Sequence, residues 1–123
     1  MKTDIRYRGD IDFLIRHFYL KLSNDVLLKT YFSGFDAEKK ERFIKGVTDF
    51  WENIILFTGD YNGNPMEVHS MLHQKQPMTE LHFKHWNELF SQTLESFFDG
   101  PKVDIMKKEA QKISLIIQRK LLK

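Results

Sequence analysis

The stretch Tyr61-Asn62-Gly63-Asn64-Pro65-Met66-Glu67-Val68-His69 reads YNGNPMEVH. Its first half is dense in residues that favour turns, and its second half ends on a histidine. Asn64-Pro65 reads as a helix N-cap followed by proline at the first helical position, where the missing N–H removes no hydrogen bond. The pattern predicts a short helix from Met66 to about Leu72. Upstream, Asp36 in GFDAEKKERF is suited to cap a long helix. Phe43, Val47, Phe50, Trp51 and Ile54 form its apolar stripe, and it should end before Gly59. Downstream, HQKQPM reads as a loop, and Thr79 is placed to cap the next helix.

The remainder of the chain is helical too. Ile11, Leu14, Ile15, Phe18, Tyr19 and Leu22 recur at helical spacing, behind a start at Gly9 or Asp10. SNDVLLKTYF reads as a helix end and then a short helical turn carrying Phe32. Leu81 begins a helix whose stripe runs through Trp86, Leu89, Phe90, Thr93, Leu94 and Phe97. FDGPK breaks it, and Val103, Met106, Ala110, Ile113 and Ile117 line a last helix. No segment alternates as a strand does. The expectation is all-α: four long helices in two pairs, joined by a turn, one short helix and a loop over about twenty residues. A plain bundle needs no such join, and long connections inside compact domains tend to be functional.

The 123 residues are enough for a single domain with one core, spanning 1–123. Eleven phenylalanines, four tyrosines and two tryptophans make the chain rich in rings. That fits a core built around a flat group, although an aromatic core with no ligand is the commoner case. A net charge of +2, with both signs scattered, argues against nucleic acid and against a membrane surface. The absence of cysteine excludes disulfides, thiolate metal sites and cysteine nucleophiles. A charged N-terminus and short apolar runs predict a soluble, cytoplasmic protein.

Five histidines are candidates for chemistry: His17, His69, His73, His82 and His85. His69 and His73 are spaced to share a helix face, but zinc would need further ligands that no neighbouring carboxylate motif supplies. His82 and His85 in LHFKHW read as partly exposed helix residues, and His17 as a surface residue. For His69, spacing alone leaves open a hydrogen-bonded histidine on a helix surface.

Taken together, DIDFLIRHFYLKL, DFWENIILFTGDYNGNPMEVH and LHFKHWNELF resemble the group III truncated haemoglobins. These are small bacterial globins that fold as a 2-over-2 helical sandwich around haem. The resemblance runs from about Asp4 to Leu121. It is most specific in the Phe50-Trp51 pair, the YNGNPM turn, the histidine after it, and the histidine- and tryptophan-bearing helix.

The resemblance implies haem b, held without covalent links, with His69 as the proximal ligand to iron. Tyr19 and Trp86 correspond to the distal tyrosine and tryptophan, each bringing one hydrogen-bond donor to a polar ligand. Phe32 corresponds to a phenylalanine packed on the haem face, and Val47 to an apolar residue over the distal pocket. Phe43 departs from the pattern, because the family commonly has histidine there. Phenylalanine retains only the steric role, so the distal side should be more apolar and free of histidine ligation. His73 is placed to reach a haem propionate, or else solvent. The function implied is binding of dioxygen, nitric oxide, carbon monoxide or cyanide. A haem redox enzyme, such as a nitric-oxide dioxygenase or peroxidase-like protein, is the alternative, and it would need an unknown reductase because the chain has no flavin or nicotinamide motif. A third class, a haem-free helical interaction module, is opposed by Tyr19, His69 and Trp86 occurring together.

Overall fold

A computed structural model of the chain describes residues 1–58 and 66–122. The turn and Asn64 cap expected before Met66 lie outside the described residues.

The first helix, α1, spans Arg8–Asn24. It starts slightly earlier than Gly9 because Tyr7, in extended conformation, is its N-cap. Asp10 then turns back inside the first turn, and its carboxylate accepts from the Arg6 N–H at 2.9 Å. The expected stripe from Ile11 to Leu22 is buried. After α1, the Asp25 carboxylate accepts from the N–H groups of Leu27 and Leu28, and a 3-10 turn follows over Lys29–Tyr31.

Helix α2 spans Ala37–Leu56, and the Asp36 carboxylate caps it by accepting from the Lys39 N–H at 2.8 Å. Helix α3 spans Met66–Lys75, a turn longer than the expected end near Leu72. Nothing in HQK forbids a helix. Pro77 does, because it disfavours helical geometry in the residue before it. His73 secures this end, its Nδ1 accepting from the Met78 N–H at 2.9 Å. Helix α4 spans Glu80–Phe97 with Thr79 as N-cap, and α5 spans Pro101–Leu121 with proline in its first turn.

Helices α1 and α2 pack as one pair and α4 and α5 as another. The pairs stack, with α1 on α4 and α2 on α5, while α3 packs on α5. This is the expected 2-over-2 arrangement. Among the described residues, sheet-like pairing is limited to one bridge between Thr3 and Phe98. It is extended by the Asp99 N–H donating to the Thr3 carbonyl at 3.0 Å. Beside it, the Asp4 carboxylate accepts from the N–H groups of Lys102 at 3.0 Å and Val103 at 3.2 Å, capping α5 from the other end of the chain. Gly100 makes this possible. Its φ of 150° favours glycine, and a Cβ there would lie 2.5 Å from the Asp4 carboxyl carbon.

Candidate functional site

The stacked pairs enclose a cavity of about 210 Å³. Val47, Phe50 and Trp51 of α2 form one wall, and Phe83, Trp86 and Phe90 of α4 another. Helix α5 closes the floor with Ala110, Ile113 and Ile117, and α3 contributes Val68 and His69. The helix periodicity that buries these residues also aims them here, since each helix turns one apolar stripe inward.

His69 is the one imidazole in the lining. Its ring centroid lies 4.7 Å from Trp86 and 5.5 Å from Phe83. The residue keeps partial exposure, yet its Nδ1 is fully buried and has no hydrogen-bond partner among the described residues. An orphaned buried nitrogen is costly in a folded protein, and it calls for an explanation. Burial among rings pushes the imidazole pKa down to about 4, so the ring is neutral at pH 7. Neutral imidazole is the form that ligates metal. Among the described residues, no three His, Cys, Asp or Glu side chains converge to hold an ion, which leaves His69 as a lone donor.

The other expected residues divide. Val47 and Trp86 line the cavity with His69. Tyr19, Phe32 and Phe43 gather instead in an aromatic cluster with Phe35. Tyr19 lies 5.6 Å from Phe32 and 5.7 Å from Phe43, and the two phenylalanines lie 5.5 Å apart. Phe32 joins this cluster to the cavity wall, 6.0 Å from Trp86. Burial raises the Tyr19 phenol pKa, and among the described residues its hydroxyl has no hydrogen-bond partner.

The remaining histidines have structural partners. His82 Nδ1 accepts from the Thr79 N–H at 2.9 Å, standing where glutamate completes many helix N-caps. His85 Nε2 meets an Asp25 carboxylate oxygen at 2.7 Å, tying α4 to the end of α1. Burial opposes ionisation of Asp25, but His85 and the Leu27 and Leu28 N–H groups outweigh it and hold the carboxyl below its usual pKa. His17 packs between Phe13 and Phe97, at 4.2 and 4.7 Å.

The group 3 truncated hemoglobin ctb of Campylobacter jejuni subsp. jejuni serotype O:2 is 30% identical to this chain over 127 residues, covering 100% of this chain and 97% of that protein. The chain belongs to the group 3 truncated haemoglobins. The crystal structure of the group III truncated hemoglobin from Campylobacter jejuni superposes with a TM-score of 0.85 at 27% identity, covering 98% of this chain and 95% of that one. No protein-family model matches the chain.

This truncated haemoglobin lines its cavity with residues that periodicity alone passes over. Phe83 sits against His69, and Gly46, Asn87 and Ser114 also reach the cavity. Phe83 stands three residues before Trp86 in LHFKHW, a spacing that puts both rings on one face of the helix. Gly46 has a subtler signal: a glycine in the middle of a long helix, where alanine would be more stable.

Proposed function

We propose that this chain binds haem b without covalent attachment, with His69 as the iron ligand, and through it dioxygen and other small ligands such as nitric oxide, carbon monoxide or cyanide. The observation that carries this reading is the orphaned Nδ1 of a neutral histidine in the wall of an apolar, ring-lined cavity. Family membership supplies the expectation of haem. Bound haem would supply the iron on which diatomic ligands sit. The absence of cysteine leaves non-covalent attachment.

The donor chemistry of the site fits this group. Val47, Phe50, Trp86 and Ile113 offer apolar surface to a macrocycle and keep water from its faces. Trp86 adds an indole N–H, and Tyr19 stands behind Phe32 with an unengaged hydroxyl. Phe43 takes no part as a ligand or acid, so the distal side depends on these two donors. Size asks for a change. The cavity is smaller than the usual 300–1,000 Å³ of ligand pockets, so a porphyrin requires its lining, in which His69 and Trp86 face each other at 4.7 Å, to open.

Purified or hemin-reconstituted protein is expected to show a Soret band, and acid extraction should release the haem. His69→Gly should lose haem or accept added imidazole in place of the side chain, while His73→Ala keeps it. A protein that stays colourless with hemin would overturn the reading. Imidazole rescue of His73→Ala in place of His69→Gly would move the ligand one turn along α3.

A further inference from the structure

Two of the cavity's lining residues, Gly46 on α2 and Glu67 on α3, stand at the protein surface. Both are exposed, whereas the other lining residues are buried or half-buried. Gly46 lies within a 20-residue helix, where a glycine weakens the helix through its backbone freedom. No compensating need for glycine is present. Its φ is not in the left-handed region, and beyond the backbone of its own helix a Cβ there would meet no atom of the described residues within 4 Å. A side chain is therefore missing where the wall opens.

One turn earlier the situation is reversed. Phe43 is only 7% exposed. Its ring is held by Tyr19 at 5.7 Å, Phe32 at 5.5 Å and Phe35 at 6.2 Å. Passage beside Phe43 requires several packed rings to move together, and interiors packed at this density resist that. Beside Gly46 no described side chain stands within 4 Å of where a Cβ would lie.

We propose that small uncharged molecules reach the cavity beside Gly46, through the gap between α2 and Glu67 of α3, and not past Phe43. The preference for uncharged molecules follows from the walls, since an ion would exchange its hydration for aromatic surface. Gly46 is then the residue that sets access, and its lack of a side chain is the device. This rests on reading the cavity as the ligand site, but the gap itself can be tested without haem.

The chain's two tryptophans, Trp51 and Trp86, both line the cavity. Quenching of their fluorescence by acrylamide in the apoprotein therefore reports arrival of a small neutral molecule. Gly46→Leu is expected to lower the quenching constant severalfold. Phe43→Leu, which thins the packed cluster, should leave it near wild type. Haem-loaded protein provides the second readout, with bimolecular carbon monoxide recombination after flash photolysis slowed severalfold by Gly46→Leu and little changed by Phe43→Leu. If Gly46→Leu does not fold by circular dichroism, Gly46→Gln takes its place. Unchanged quenching and recombination in the Gly46 variant, or a rise in both with Phe43→Leu, overturns the proposal. Lower quenching in a protein that takes up no haem would uphold the gap and remove the haem reading. Normal haem uptake with neither rate altered would do the opposite.

Discussion

His69 carries an acid sensitivity that follows from its burial. Its pKa in the folded apoprotein is about 4, against the ordinary 6.5 of an unfolded chain. The unfolded state therefore binds a proton first as pH falls, and the native state does not. Above pH 6.5 this linkage costs nothing. Between 6.5 and 4 the apoprotein should lose stability progressively, by on the order of 3 kcal/mol. Urea unfolding across that window should show the slope in wild type and a flatter one in His69→Gln. Asp25, Asp49, Glu41 and Glu95 have carboxyl pKa values held below normal, so their own losses begin as the unfolded carboxylates protonate, from about pH 5 downward, and the His69 slope is read between pH 6.5 and about 5. Tyr19 makes a different prediction. Its hydroxyl has no partner to lose, so Tyr19→Phe should leave the stability of the apoprotein nearly unchanged. In haem-loaded protein the hydroxyl is proposed to donate to dioxygen, whose outer atom carries negative charge, and hardly at all to carbon monoxide. A hydrogen bond to a charged acceptor is worth about 1.5–3 kcal/mol, so dioxygen release should quicken by about ten- to a hundredfold. Stopped-flow off-rates for the two gases test this, and equal changes in both would mean altered access instead of a lost bond.

The elements differ in how firmly they are held. Helix α3 packs chiefly on α5, and its link to α4 runs through the His69 ring against Trp86 and Phe83. If haem parts those rings, α3 is the element that must shift, and then become fixed. Amide hydrogen exchange should accordingly slow in α3 on haem uptake far more than in α1, whose buried stripe is already complete. Equal protection gains in both helices would contradict this. Helix α5 is secured differently, by the Asp4 carboxylate at its first turn. Asp4→Ala should destabilise the protein by about 0.5–2 kcal/mol, as loss of an N-cap does, read as a lower denaturant midpoint. Gly100→Ala should be worse, because it adds backbone strain and drives a Cβ into Asp4. The two caps show what a sequence reveals of an element. Asp36 lies beside the helix it caps and is legible there. Asp4 is separated from α5 by almost the whole chain, and His82 does a task usually given to glutamate, so neither could be read.

At the scale of the molecule, the two-pair helical sandwich was legible because four long stripes with 3.6-residue spacing leave few ways to bury their apolar faces. The site was legible in part. His69, Val47 and Trp86 line one cavity. Tyr19, Phe32 and Phe43 were read as cavity residues, yet here they pack on one another beside it. Aromatic side chains gain as much from each other as from a flat guest, and no spacing rule tells the two apart. The His85–Asp25 contact bridges residues 60 apart and leaves no local trace. The pairing of the two chain ends has a further consequence, for the order of events during synthesis. Ile5 is fully buried, and the Asp4 carboxylate is satisfied by amides 98 and 99 positions later. Contacts of such separation are the slowest to form. A nascent chain on the ribosome therefore holds Asp4 unpaired with these amides until the start of α5 has emerged.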